Sequence, residues 1–190
     1  AREHIRDLGL YGKISVERWL GDHLPYTDNL VNLLVADALR PVSWDEVMRV
    51  LVPGGVAYVK KDEKWPKTIN PRPKEIDDWT HFLYDASNNA VSRDASVAPP
   101  AHVQWIGRPK WARSHEHLAS ISAVVAAGGR IFYILDEGPI ESIEFPPKWV
   151  LVARDGFNGV ILWKRPIGPW QDHLRRFRSG PPQLPRRLVA

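Results

Sequence analysis

Ala153-Arg154-Asp155-Gly156-Phe157-Asn158-Gly159-Val160-Ile161-Leu162-Trp163 spells a strand, a glycine turn and a second strand that reaches a tryptophan. Val150-Leu151-Val152-Ala153 is a short apolar run, Asp155-Gly156 and Asn158-Gly159 supply the positive φ angles of a hairpin connection, and Val160-Ile161-Leu162-Trp163 restarts a strand. A second unit lies upstream: Ser122 to Ala127, a Gly128-Gly129 turn, then Arg130 to Leu135. Together they predict up to four consecutive antiparallel strands. A lone sheet of that size cannot bury both of its faces, so the pattern predicts neighbouring sheets outside the chain.

The spacing Ala153, Asp155, Gly159, Trp163 resembles the repeat of pyrroloquinoline-quinone-type β-propellers. Gly128-Gly129-Arg130-Ile131-Phe132-Tyr133 looks like the preceding strand of such repeats. Trp79 to Ala90 resembles the lead-in to a first blade, and Val103-Gln104-Trp105 the strand after it. The resemblance covers roughly residues 79–165. It implies a structural role for the four motif positions, with the tryptophan of one blade docking on the turn of the next. Quinone binding is not expected, because a quinone site needs residues converging from several blades and this chain supplies one.

At 190 residues the chain has room for one or two domains. It has no cysteine, which excludes disulfides and thiolate metal sites but assigns no compartment. The net charge of +4 is modest. No apolar run approaches the roughly 18 residues of a membrane span, and no secretory signal pattern is present. The chain reads as an internal piece of a longer protein, so localisation stays open, with a periplasmic or exported parent among the options.

In the N-terminal part, Ile5 and Leu8 share a face and Gly9 and Gly12 are stop signals, which predicts the end of a helix. Lys13 to Arg18 alternates like a strand. Leu30-Val31-Asn32-Leu33-Leu34-Val35-Ala36 is a nearly continuous apolar run suited to a strand covered on both faces. Ser43 with Glu46 forms a capping box for a helix carrying Val47, Val50 and Leu51; Pro53-Gly54-Gly55 breaks it, and Val56 to Lys60 is a further strand. The alternation predicts an α/β, Rossmann-like fragment with a parallel sheet, followed by the all-β antiparallel fragment. The expected domains are residues 1–62, a Pro/Lys-rich linker at 63–78, and 79–190.

Leu24-Pro25-Tyr26-Thr27-Asp28-Asn29 with the strand ending at Asp37, and Val47 to Gly55, resemble the later half of a class I S-adenosylmethionine-dependent methyltransferase. The resemblance covers about residues 1–60. It implies adenine-contacting positions at Trp19 and Leu20, a further cofactor position at Asp22, and a ligand-facing acid at Asp37, whose other reading is a helix or loop cap. The family's glycine-rich turn and ribose-binding acid have no counterpart here. S-adenosylmethionine is therefore expected as a cofactor of the parent, while the chain itself is expected to be inactive.

His115-Glu116-His117 could place two imidazoles on one side of a strand, but no third ligand is fixed and no metal site is expected. Asp136-Glu137 is a paired acid at a strand end, and a turn explains it equally well. Arg175, Arg176, Arg178, Arg186 and Arg187 lie among prolines without a nucleic-acid motif, so nucleic acid is not an expected partner. The order of the two resemblances is similar to that of bacterial fusion proteins joining a methyltransferase to a quinoprotein-like propeller. It implies methyl transfer by the parent, with a methyl acceptor or a protein partner recruited through the propeller. The alternatives are a quinoprotein oxidoreductase and a non-catalytic propeller scaffold that binds proteins.

Overall fold

The structure is a computed structural model describing residues 1–97, 99, 103–107, 113, 120–142, 144–170 and 185–190. Among the described residues two short helices, α1 (Arg2–Asp7) and α2 (Trp44–Val50), accompany seven strands: β1 (Val31–Ala36), β2 (Leu51–Val59), β3 (Lys67–Ile69), β4 (Ile121–Ala127), β5 (Arg130–Asp136), β6 (Trp149–Asp155) and β7 (Ile161–Pro166). A 3-10 turn follows at Pro185–Arg187. The strands form a three-stranded sheet ordered β1-β2-β3 and a four-stranded sheet ordered β4-β5-β6-β7.

The first sheet grows from α2. Ser43 Oγ accepts the Glu46 N–H at 3.2 Å and satisfies one of the helix's free N-terminal donors. The helix stops at Val50, because Leu51 takes an extended conformation and opens β2 directly. β2 runs parallel to β1, with a register jump between Val31↔Leu51 and Leu33↔Val56 where Pro53-Gly54-Gly55 inserts extra backbone. β3 pairs antiparallel on the other side of β2. Val47, Leu51 and Ala57 are fully buried, packed with Val31, Leu34 and Leu39. Each of the larger side chains gains about 1.5–3 kcal/mol from leaving water.

This overturns the expected fold class. The chain is mostly β, in two sheets, and the Rossmann-like α/β fragment predicted before an all-β fragment is not seen. A doubly wound sheet needs helices on both faces; here the helix packed on the sheet is the short α2, against β2. The predicted strand at Lys13–Arg18 is absent, leaving one isolated bridge between Tyr11 and Ile14. Nor is 63–78 a plain connector, since Lys67–Ile69 joins the sheet as β3 and Arg72 pairs with Asp78 at 2.7 Å.

The second sheet is antiparallel throughout. Gly128 and Gly129, at φ 57° and 75°, turn β4 into β5 in two residues, the geometry of a type I′ hairpin. Both faces are apolar. Tyr133, Leu135, Val150 and Val152 form one core, and Ala123, Ile134 and Trp149 form the other. The β5–β6 connection is held from inside: Arg113 pairs with Asp136 at 2.8 Å, both side chains buried, and donates to the carbonyls of Pro139, Ser142 and Phe145. On the outer side of β4, Trp79 and Ala126 exchange two backbone hydrogen bonds.

Candidate functional site

A groove of about 520 Å³ runs beside β1. One wall is the loop residues Leu24 and Tyr26, the floor is β1 itself, and the far wall carries Leu39, Val42 and Val47. Its lining is aliphatic because β1 contributes an uncharged run to the edge of a sheet. Leu33 and Val35 are 58% and 60% exposed.

Backbone polarity at this edge follows from strand alternation. Leu30 N–H donates to Val50 O and Ala36 O accepts from Lys60 N–H, so the even-numbered residues turn their amides toward β2. Leu33 and Val35 therefore point their N–H and C=O groups away from the sheet, into the groove. Among the described residues nothing pairs with them.

The loop wall is clamped by α2. Glu46 Oε1 accepts the Leu24 N–H at 2.7 Å, and both carboxylate oxygens accept from Arg49 at 2.6 and 2.8 Å. Arg49 also reaches Asp28 at 2.6 Å and the Tyr26 carbonyl at 3.0 Å. The Arg49 hydrogen bonds dominate over burial and lower the Glu46 carboxyl to about 2, with the Leu24 amide adding to the effect. The Arg49 guanidinium is correspondingly raised by Glu46 and Asp28. Glu46 was expected to fold back on the Ser43 amide in a capping box; its carboxylate instead fastens the loop.

The N-terminal end of β1 is docked on the second sheet. Asn32 donates to Asp155 Oδ2 at 2.8 Å, Asn158 donates to Leu30 O at 3.1 Å and to the Asn32 side chain, and Gln104 donates to Asp28 O at 2.6 Å. Asp155 Oδ1 meanwhile accepts the N–H groups of Phe157 and Asn158, closing the β6–β7 turn. The open part of the edge thus begins after Asn32 and ends at Ala36.

The sequence-predicted residues fall in several places. Trp19, Leu20 and Asp22 lie exposed in a loop without regular structure, and Asp37 lies exposed just beyond β1. None of these four residues lines the groove. Ala153 is buried and stands opposite Trp163 in the register, and Trp163 tilts against Phe132 with ring centroids 6.1 Å apart. The tryptophan seated on the β6–β7 turn is Trp105: its indole N–H donates to Gly156 O at 3.1 Å, and a Cβ on Gly159 would lie 2.4 Å from its ring. Arg154 stacks over Trp105 and bonds the Tyr133 hydroxyl at 3.0 Å.

His115-Glu116-His117, Arg175, Arg176 and Arg178 lie outside the described residues. Among the described residues no group of three metal-ligating side chains comes together, and no helix is long and apolar enough to cross a membrane. Leu33 and Val35 were not singled out from the sequence. The signal that could have found them was the uncharged run of β1 set against too few helices to cover it. No protein-family model, no curated protein and no solved structure matches the chain.

Proposed function

We propose that this chain is a protein-binding module that takes an extended segment of a partner along the outer edge of β1. The observation that carries the reading is the coincidence, at Leu33 and Val35, of outward-facing backbone groups with an apolar groove of about 520 Å³. Strand addition uses those two elements: main-chain hydrogen bonds supply affinity, and pockets for alternate side chains supply selectivity. The clamp formed by Glu46 and Arg49 keeps the Leu24–Tyr26 wall in place before any partner arrives, so less ordering is lost on binding. The sequence predicts recruitment through the C-terminal propeller fragment; this reading gives the binding role to the first sheet instead.

Amide hydrogen exchange of the whole chain tests it. In the free protein the Leu33 and Val35 amides exchange fast while Leu34 is protected by β2. Adding a soluble alternating peptide, acetyl-Thr-Val-Thr-Val-Thr-Val-Thr-amide, is expected to protect Leu33 and Val35. The double substitution Leu33→Lys, Val35→Lys abolishes that protection, and Val35→Pro, which removes only an outward-facing N–H, abolishes it without breaking the β1–β2 ladder. Unchanged exchange at saturating peptide overturns the reading.

A further inference from the structure

We propose that Asn158-Gly159 is a modification site, a deamidating peptide whose reaction unties the second sheet from β1. Across 190 residues one asparagine and one aspartate are followed by glycine, Asn158 and Asp155, and both lie at the β6–β7 turn. The inference stands apart from strand addition, because it concerns the docked end of β1 and not what the open edge takes.

A glycine after asparagine matters because it leaves the next backbone nitrogen unshielded by a Cβ and free in its dihedrals. The Gly159 nitrogen, after losing its proton to solvent base, attacks Asn158 Cγ. The N–Cγ bond forms, the Cγ–Nδ2 bond breaks, and Nδ2 leaves as ammonia, giving a five-membered succinimide. Water then adds to either ring carbonyl and opens the ring to aspartate or isoaspartate. The turn holds the electrophile in place: Asn158 Oδ1 accepts the Val160 N–H at 3.1 Å, which folds the side chain back along the Gly159 peptide and polarises its carbonyl. The same turn restrains the nucleophile. Gly159 N–H donates to Asp155 O at 3.0 Å, and Trp105 covers Gly159 closely enough that a Cβ would collide with it. The reaction therefore proceeds from turns that have opened locally, and its rate follows their population. Asp155-Gly156 can close the same ring, but a carboxylate resists nucleophilic attack, so Asn158 reacts first.

The atom that leaves is the one that makes the tie. Asn158 Nδ2 donates to Leu30 O at 3.1 Å and to Asn32 Oδ1, and Asn32 Nδ2 in turn donates to Asp155 Oδ2 at 2.8 Å. Asn32 thus bridges a donor and a carboxylate, and that difference sets the orientation of its amide. With a carboxylate at position 158 both neighbours are acceptors. Either orientation of the Asn32 amide then sets its oxygen against one of them, Leu30 O loses its donor, and a second negative charge joins Asp155. Isoaspartate also lengthens the main chain by a carbon inside a turn that Asp155 N–H closes on Val160 O at 2.9 Å. Of the side-chain bonds described at this junction, the one from Gln104 to Asp28 O at 2.6 Å is untouched. The change is one-way, so docking is lost with the age of the molecule.

The test ages the full chain at neutral pH and physiological temperature. Peptide mass spectrometry places each deamidation, and chromatography separates aspartate from isoaspartate. Asn158 is expected to convert before Asn29, Asn32, Asn70, Asn88 and Asn89, and to convert several-fold more slowly in the folded chain than in the same chain held in urea. Docking is read in parallel by spin-label distances. The chain has no cysteine, so Asp37→Cys with Leu162→Cys, both at exposed positions, carries the labels alone. The distance distribution is expected to lengthen and broaden in step with the Asn158 product, and to start that way in Asn158→Asp. Another asparagine converting first, or Asn158 surviving intact in the folded chain, overturns the modification site. Equal rates with and without urea overturn the restraint by the turn. Conversion of Asn158 at an unchanged distance overturns the control of docking, and this is read on the ageing labelled chain whether or not Asn158→Asp folds.

Discussion

Asn32, the second residue of β1, donates its side-chain amide to Asp155, the last residue of β6, at 2.8 Å across 123 positions of sequence. The bond ties the two sheets at the end of the groove and consumes the one carboxylate oxygen that the β6–β7 turn leaves over. Asn32→Ala is expected to cost about 0.5–1.5 kcal/mol, the usual worth of such a bond. Asp155→Asn is expected to cost more, because either orientation of the amide sets an NH₂ against an N–H or NH₂ donor. Denaturant midpoints of the two variants check the order.

Gly159, at φ 73°, faces Trp105 so closely that any Cβ collides with the ring. Gly128, at φ 57°, meets only the flexible end of Arg130 at 3.5 Å. Gly128→Ala is expected to lose only the backbone cost of the left-handed conformation, about 1–2 kcal/mol. Gly159→Ala carries the same cost plus displacement of Trp105, so it should lower the melting temperature further. Equal losses would mean that Trp105 can leave the turn freely.

Arg113 and Asp136 form a buried pair, and Asp136 also accepts the amides of Gly138 and Lys148 at 2.8 Å each. Removing one partner strands a charge. Asp136→Asn is expected to cost about 3–5 kcal/mol in equilibrium unfolding. Arg113→Met is expected to release the β5–β6 connection as well, read as faster exchange at Glu137 and Lys148.

Glu46 sets an acid dependence. Its carboxyl is lowered from 4.5 to about 2 in the folded chain, chiefly by Arg49. A depressed folded value means that the clamp's stabilisation is complete above the unfolded value and is lost as pH falls through the folded one. The stability difference between the native chain and Glu46→Gln is therefore expected to be constant above pH 4.5, to shrink below it and to be gone near pH 2. A difference that persists unchanged at pH 2 would remove Arg49 as the cause.

Local chemistry was legible in the sequence, and assembly was not. The positive φ of Gly128, Gly129 and Gly159 could be read because residue type demands it locally, whereas Gly156 does not take the positive φ expected of it. The run Leu30–Ala36 was correctly a strand, but its composition could not tell a covered face from a bare one, since that depends on elements distant in sequence. Glu46 shows the same limit at one residue. Its spacing from Ser43 fits a capping box, yet the Leu24 amide and Arg49 offered better partners, and neither is visible in a three-residue motif. Asp155 was recognised as a turn acid; its second bond, to Asn32, could not be.

The edge strands β1 and β7 differ in kind. β7 carries Lys164, Arg165 and Pro166, residues that discourage pairing with a stray strand, whereas β1 offers Val31 to Ala36 without a charge or a proline. A copy with its groove empty displays the sort of aliphatic segment that chaperones and proteases seize. On the strand-addition proposal occupancy would govern lifetime: cellular abundance would follow the supply of the partner, and loss of the partner would be felt first as faster degradation.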